Sequence, residues 1–146
     1  MPIALFPGSF NPFTIGHKSL VDRALPLFEK IVIAVGHNSA KGGDNDIEER
    51  LEAIRRVYAG NPKVEVTAYE GLTVDACRLH GATWMIRGVR SSIDFEYERT
   101  LADVNRRISG IETMLLPALP QLADISSSVV RELRAYGHDT SQFTPE

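Results

Sequence analysis

The sequence predicts an α/β protein built on a doubly wound parallel sheet of five strands. Short apolar runs alternate with longer amphipathic segments along the whole chain, an order typical of parallel sheets with right-handed crossovers. No internal repeat and no linker-like stretch interrupts this order. We therefore expect residues 1–146 to form a single Rossmann-like domain.

Five short apolar segments predict the strands. The run IVIAV contains no polar residue, as is typical of strands that a parallel sheet buries on both faces. The predicted strands are Ile3–Phe6, Ile31–Val35, Val64–Ala68, Thr83–Arg87 and Thr113–Leu116. Each is followed by a polar or glycine-containing loop, which marks its carboxyl end.

Five longer segments predict the helices. Pro26 is expected to loosen the end of the first, and Asp46 with Glu49 forms a capping pair at the start of the second. The predicted helices are His17–Phe28, Ile47–Tyr58, Leu72–His80, about Ile93–Ile108, and the segment SSSVVRELRAYG, which stops at Gly137. The tail HDTSQFTPE is expected to be irregular.

Composition excludes several classes of protein. Hydrophobic residues make up 43% of the chain and charged residues 24%, which is typical of a globular domain. A net charge of −3 argues against a dedicated nucleic-acid binder. The single cysteine, Cys77, cannot form an internal disulfide and is expected to pack in a helix. No apolar run is long enough to span a membrane and no signal peptide is visible, so we expect a cytoplasmic location.

The loops that follow the five strands carry most of the chemistry-bearing residues. In a parallel sheet, ligands bind beyond the carboxyl ends of the strands, so these loops are expected to converge at one edge. They bring together Ser9, His17, Lys41, Arg87, Arg90 and the serines of ISSS. Cationic, hydroxyl and imidazole groups in one place suit a phosphorylated ligand.

The segment PGSFNPFTIGH, from Pro7 to His17, is long for a strand-to-helix connection. A glycine-containing loop that opens a helix favours anions, because free backbone N–H groups and the helix dipole both attract phosphate. Gly8 and Gly16 allow close backbone approach, and His17 faces the same anion from the first turn. The alternative is a long structural loop with a surface histidine. The loop matches neither GxxxxGK[ST] nor GxGxxG.

Two further motifs have both a functional and a structural interpretation. The two arginines of RGVR, around a glycine turn, suit a polyphosphate, but they can also pair with Asp94, Glu96 or Glu98. The serines of ISSS can donate to phosphate, but serines at a helix start are most often caps. Lys41 taken alone is a solvated loop residue. With no nucleophile–base pair visible, this set favours phosphoryl or nucleotidyl transfer.

Several motifs together resemble one family. TIGH resembles the (T/H)xGH signature of the nucleotidyltransferase superfamily, in its phosphopantetheine adenylyltransferase version. IRGVR followed by DFEYE, ISSSVVRE and FTPE are similar to further motifs of that family, in the same order. The resemblance covers the chain from Ile3 to its last residue.

The resemblance implies a reaction, in which ATP and 4′-phosphopantetheine give dephospho-coenzyme A and pyrophosphate, with Mg²⁺ accompanying ATP. It also implies a homohexamer and coenzyme A as a feedback ligand. The sequence shows no set of residues that would cage a metal, so we expect ATP and water to hold the Mg²⁺. Two alternatives stay open. One is an adenylyltransferase for another phosphate acceptor, such as nicotinamide mononucleotide; the other is a non-catalytic nucleotide- or coenzyme A-binding module. Asn11, where the family usually has aspartate, keeps the second alternative open.

The resemblance also implies roles for individual residues. His17, Lys41 and Arg90 would be catalytic, with His17 on the α-phosphate of ATP. The acceptor would be bound by Ser9, Lys41, Leu72, Thr73, Arg87 and Asn105. ATP would be bound by Ser9, Phe10, His17, Gly88, Val89, Arg90, Glu98, Leu122, Ala123, Asp124, Ile125, Ser126, Ser127 and Ser128. The segment Asp103-Val104-Asn105 departs from the family pattern, which often has methionine before the asparagine.

Overall fold

The computed structural model describes residues 1–38 and 46–145, and the predicted parallel sheet is confirmed. The strands are β1 (Ile3–Gly8), β2 (Lys30–Gly36), β3 (Val64–Tyr69), β4 (Trp84–Val89) and β5 (Glu112–Pro117). Their order is β3-β2-β1-β4-β5, and every neighbouring pair is parallel. The order reverses at β1, so this is the switch point at which a doubly wound sheet opens a crevice for ligands.

The helices lie where the sequence predicts them, with shifted ends. They are α1 (Ile15–Ala24), α2 (Ile47–Val57), α3 (Thr73–Leu79), α4 (Ser92–Ser109) and α5 (Ser127–Ala135). Helix α1 begins before His17 because Thr14 caps it, and it gives way to a 3₁₀ turn, Leu25–Leu27, that contains Pro26. The predicted capping role of Asp46 is wrong, since its side chain accepts from Arg50 instead of an amide of the first turn.

Two more predictions need correction. Gly88 is not in a turn, because β4 continues through Val89. A Cβ at Gly88 would overlap Leu20 Cδ1, so glycine lets α1 pack closely on β4. The C-terminal tail is not wholly irregular, since it contains the 3₁₀ turn Ser141–Phe143.

Each face of the sheet has its own core. Phe6 and Ile33 pack on the face covered by α1 and α2, whereas Leu5 and Val32 pack on the opposite face with α3. Cys77 is buried in the second core, as predicted, and burial raises the pKa of its thiol to about 11. Across residues 1–38 and 46–145, every helix is too short or too polar to cross a membrane.

Candidate active site

The loop between β1 and α1 is held in place by side chains from distant elements. Three of its carbonyl oxygens, and that of Pro7 at the end of β1, accept hydrogen bonds. The bonds are Arg87 Nη1 to Pro7 O (3.0 Å), Arg50 Nη1 to Ser9 O (2.8 Å), Arg131 Nη1 to Asn11 O (2.6 Å) and Ser127 Oγ to Pro12 O (2.7 Å). Three arginines and one serine therefore fix the backbone of a loop that has no regular secondary structure of its own.

His17 is oriented by Thr14 through a reciprocal capping box. The backbone N–H of Thr14 donates to His17 Nδ1 over 2.9 Å, and the backbone N–H of His17 donates to Thr14 Oγ1 over 3.3 Å. Because Nδ1 is an acceptor here, the neutral ring carries its proton on Nε2. Within residues 1–38 and 46–145 the Nε2 atom has no hydrogen-bond partner, so it is available to a ligand.

Aromatic rings surround His17. The ring centroids of Phe10 and Phe13 lie 4.9 Å and 5.4 Å from that of His17. Burial, and then the positive charges of Arg87 and Arg90, lower the pKa of His17 from 6.5 to about 4. At neutral pH, His17 is therefore an uncharged hydrogen-bond donor.

Gly8 permits the position of the Phe10 ring. A Cβ at Gly8 would lie 2.8 Å from two atoms of that ring, which is closer than real contacts allow. Phe10 itself has a φ of 47°, a left-handed conformation that is rare for a bulky residue. Glycine was predicted here for close approach of an anion, and in the structure it makes room for the wall of the His17 site.

Arg87 forms a partly buried ion pair with Glu98. Arg87 Nε donates to Glu98 Oε2 over 2.8 Å, and Arg87 Nη2 donates to Glu98 Oε1 over 2.7 Å. These bonds raise the pKa of the Arg87 guanidinium. Three residues further along the chain, Nε of Arg90 lies 3.7 Å from Oδ2 of Asp94. Both arginines of RGVR thus pair with acidic residues, as the structural interpretation of this motif predicts. Both also line the first of the two cavities described next.

Two cavities meet at the end of β1. The first, of about 360 Å³, is lined by His17, Arg90 and the serines of the α5 start. The second, of about 300 Å³, is lined by Tyr69, Thr73 and Asn105. The residues that line both cavities are Pro7, Gly8, Ser9 and Arg87. A hydroxyl group and a guanidinium therefore stand at the junction of the two spaces.

The serines at the start of α5 have divided roles. Ser126 Oγ caps the helix by accepting from the backbone N–H of Val129 over 3.2 Å, which confirms the structural interpretation of that residue. Ser127 donates its hydroxyl to the loop, as described above. Ser128 lies 3.4 Å from Ser126, oxygen to oxygen. All three line the first cavity.

Comparison with known proteins identifies the family. Residues 5–133 match the model of the cytidylyltransferase-like family. Phosphopantetheine adenylyltransferase of Porphyromonas gingivalis is 53% identical over 99% of this chain and 94% of its own length. The enzyme of that name from Bacteroides thetaiotaomicron is 49% identical over 98% of this chain and 95% of its own length. The chain belongs to the phosphopantetheine adenylyltransferase family.

Solved structures agree on the fold. A bifunctional NMN adenylyltransferase/ADP ribose pyrophosphatase from Francisella tularensis matches with a TM-score of 0.74 at 15% identity, over 100% of this chain and 46% of its own. A protein from Vibrio parahaemolyticus, provisionally named a nicotinate-nucleotide adenylyltransferase, matches with a TM-score of 0.71 at 20% identity, over 99% of this chain and 86% of its own. At such identities the likeness concerns the fold alone.

Most residues assigned by resemblance to this adenylyltransferase family line one of the two cavities. Of those predicted to bind ATP, the first cavity holds Ser9, Phe10, His17, Gly88, Val89, Arg90, Leu122, Ile125, Ser126, Ser127 and Ser128. Of those predicted to bind the acceptor, the second holds Ser9, Thr73, Arg87 and Asn105.

The remaining residues lie elsewhere. Ala123 and Asp124 are outside the lining of the first cavity, and Glu98 lines the second. Leu72 is 60% exposed just before α3 and lines neither cavity. Lys41 lies outside the described residues. Asn11 lines a separate cavity of about 910 Å³ beside α2.

Sequence reasoning missed the residues that position the others. Thr14 was seen only as the first letter of TIGH, and its backbone N–H fixes the tautomer of His17. Arg50 was not singled out, although it holds the carbonyl oxygen of Ser9. The capping-box spacing between Thr14 and His17 is a signal that could have identified Thr14. No local signal predicts the role of Arg50, because its partner Ser9 is 41 residues away.

Proposed function

We propose that this protein transfers the adenylyl group of ATP to 4′-phosphopantetheine, giving dephospho-coenzyme A and pyrophosphate in coenzyme A synthesis. The observation that carries the proposal is the meeting of the two cavities at Ser9 and Arg87. A donor in the first cavity and an acceptor in the second would bring their phosphates together at that junction. Positioning of this kind is most of what such a transfer needs.

The chemical step requires no protein nucleophile. An oxygen of the acceptor phosphate attacks the α-phosphorus of ATP, the bond from that phosphorus to the bridging oxygen of the β-phosphate breaks, and pyrophosphate leaves with the electron pair. Negative charge grows on the non-bridging oxygens around the α-phosphorus. The Nε2–H of neutral His17 would donate to one of them, and Ser9 with Arg87 would hold the attacking phosphate.

The leaving group would be held by the rest of the first cavity. Arg90, which is 45% exposed at its side chain, has a guanidinium accessible to the β- and γ-phosphates. The start of α5 offers free backbone N–H groups and the positive end of a helix dipole. Lys41 keeps the role that the resemblance implies, as a second cation on the attacking phosphate.

Mg²⁺ would arrive with ATP. Among residues 1–38 and 46–145, no three His, Cys, Asp or Glu side chains lie close enough together to hold a metal ion. The described residues therefore do not fit a protein-built cage. Phosphate oxygens and water are ordinary ligands of this ion, and they would hold it here.

Self-association is part of the proposal. Helix α4 exposes a stripe of apolar side chains at spacings of three and four residues. The stripe consists of Ile93, Tyr97, Leu101, Val104 and Ile108. A second copy of the chain would cover it, in line with the hexamer implied by resemblance. Sedimentation of Val104→Glu should show smaller particles than the wild type, whereas sedimentation of Arg99→Glu should be unchanged.

The function itself is tested by pyrophosphate release. ATP and Mg²⁺ are supplied with 4′-phosphopantetheine, with nicotinamide mononucleotide, or with no acceptor. We expect release only with 4′-phosphopantetheine, and inhibition by added coenzyme A. Faster release with nicotinamide mononucleotide would overturn the assignment of the acceptor, and ATP binding without release would favour a non-catalytic module.

A cytoplasmic location follows from this role and is checked by cell fractionation.

A further inference from the structure

The second cavity combines one charged position with a neutral lining. Arg87 and Ser9 stand where it meets the first cavity. Apart from Arg87 and its partner Glu98, the described residues that line it are uncharged, and they include the apolar side chains of Met85 and Leu101. A ligand that fills this space would therefore carry its charge at the junction and a neutral chain beyond it.

A pair of hydroxyl groups forms part of the neutral lining. Tyr69, the last residue of β3, and Thr73, the first residue of α3, both line the cavity. Their side-chain oxygens lie 2.9 Å apart, which is a hydrogen-bond distance. Either hydroxyl can donate in this bond, and whichever does, the other keeps its O–H. Within residues 1–38 and 46–145 that second O–H has no acceptor.

Gly36 makes room for the tyrosine ring. It is the partner of Tyr69 in the β2–β3 register. A Cβ at Gly36 would lie 3.3 Å from the hydroxyl oxygen of Tyr69 and 3.4 Å from two of its ring carbons, which is tighter than ordinary packing. The backbone N–H of His37 donates to the carbonyl oxygen of Tyr69 over 3.0 Å. The phenol therefore has a defined place at the end of β3, and only glycine at position 36 leaves that place free.

Two further polar groups of the cavity have unused hydrogen-bonding capacity. The Asn105 side chain makes one long contact, from Nδ2 to Sδ of Met85 at 4.0 Å, and its Oδ1 has no donor in the described part of the chain. Thr113 Oγ1 is buried without a partner among the same residues. Buried polar groups are normally hydrogen-bonded, so unfilled capacity in a cavity indicates a ligand that supplies the partners. Neutral donors and acceptors of this kind suit amide groups.

We infer that Tyr69 is a specificity-determining residue, which together with Thr73 donates a hydrogen bond to an amide carbonyl of the acceptor. This inference rests on the proposed function, whose acceptor carries two amide groups between its phosphate and its thiol. Family resemblance implies an acceptor contact for Thr73 and none for Tyr69. The two hydroxyls act as a unit, because the one that donates within the pair sets the direction in which the other offers its O–H.

The test compares Tyr69→Phe, which removes one hydroxyl and keeps the ring, with Tyr136→Phe. Tyr136 is a matched control, because it is 86% exposed at the end of α5. Circular dichroism and thermal melting verify that both variants are folded, and calorimetry gives the Kd of 4′-phosphopantetheine and of ATP. If Tyr69→Phe does not fold, Thr73→Val removes the other hydroxyl of the pair and supplies the same comparison.

Infrared difference spectra report the hydrogen bond itself. 4′-Phosphopantetheine is labelled with ¹³C at its amide carbonyls and bound to each protein. A carbonyl that accepts a hydrogen bond absorbs at lower frequency than one that does not. A change confined to the shape of the cavity would weaken binding without removing this signature.

We expect the Kd of 4′-phosphopantetheine to rise roughly 3- to 10-fold in Tyr69→Phe, which is the usual worth of one neutral hydrogen bond, with the Kd of ATP changed less than about twofold. One amide carbonyl band should move to higher frequency in this variant and stay in place in Tyr136→Phe. The double variant Tyr69→Phe/Thr73→Val should bind the acceptor about as weakly as the weaker single variant, because the two hydroxyls act together.

Unchanged amide bands in Tyr69→Phe would overturn the inference, as would an equal rise in the Kd of ATP. Binding of 4′-phosphopantetheine without pyrophosphate release by the wild type would instead count against the proposed function, and the amide bands would still decide the role of Tyr69. Failure of the wild type to bind 4′-phosphopantetheine at all would overturn both.

Discussion

The Thr14 backbone N–H donates to Nδ1 of His17 over 2.9 Å, and this bond determines which ring nitrogen of His17 faces a ligand. A neutral imidazole can donate only from its protonated nitrogen. With Nδ1 acting as an acceptor, that nitrogen is Nε2. The orientation of one backbone amide therefore makes His17 a hydrogen-bond donor that carries no positive charge.

His17→Ala should lower kcat far more than it changes the binding of ATP. A donor that acts on the developing charge of the transition state is worth on the order of 100- to 1000-fold in kcat. Steady-state pyrophosphate release measures this, with His138→Ala as the control because His138 is exposed at the end of α5. An equal loss in ATP affinity and in kcat would show that His17 is only a ground-state ligand.

His17 should stay neutral from pH 8 down to about pH 5. Its pKa of about 4 results from burial and from Arg87 and Arg90. ¹⁵N NMR of the imidazole should show the Nε2–H form throughout this range. A shift with a midpoint near pH 6.5 would contradict the structure.

The same pKa makes stability depend on pH. Between pH 6.5 and 4, the unfolded chain binds a proton at His17 and the folded chain does not, so stability falls as pH falls. From pH 7.5 to pH 5 the wild type should lose about 2 kcal/mol more unfolding free energy than His17→Asn. Urea titrations of the two proteins at both pH values measure this difference in unfolding free energy. An equal loss of stability in the two proteins would contradict the low pKa of His17.

Thr14→Val should weaken both α1 and the catalytic step. The buried Thr14 hydroxyl caps α1, and the loss of such a cap costs about 1 kcal/mol. kcat should fall as well, because the hydroxyl also lies 3.2 Å from His17 Nδ1. Thr14→Ser keeps the hydroxyl and should retain stability and most of the activity. Loss of activity in Thr14→Ser with retention in Thr14→Val would contradict this, and would mean that the methyl group of Thr14 matters and its hydroxyl does not.

Gly88→Ala should destabilise the protein by about 1 to 3 kcal/mol, because the added methyl group overlaps Leu20 in a packed core. Leu20→Val shortens the side chain that the added methyl group would meet. The double variant should therefore lose less unfolding free energy than the sum of the losses in the two single variants, as measured by urea unfolding. Strict additivity would show that the two positions do not compete for space.

The sequence was sufficient to predict the order and type of the strands and helices, because apolar strands and amphipathic helices follow from local spacing. IVIAV could only be buried, and β2 is buried from Ile31 to Val35. The end of β4 could not be predicted. Gly88 resembles a turn residue locally, and only the approach of Leu20 explains it.

The sequence indicates the polar side chains that line the candidate site, but not the residues that hold the backbone of the site in place. Ser9, His17 and Arg87 are singled out by their motifs, and in the structure all three line the first cavity. The contacts made by Arg50 and Arg131 depend on tertiary geometry, and nothing near them in the chain indicates their partners.

The four hydrogen bonds that hold the end of β1 and the loop after it also bear on folding. Their donors lie 41, 80, 115 and 120 residues from the carbonyl groups that they hold. Contacts of such length form late, since most of the chain must be in place before the loop can close. On a ribosome, the loop after β1 would be made first and ordered last, when α5 emerges. A nascent chain would therefore lack the complete His17 cavity until it is almost finished.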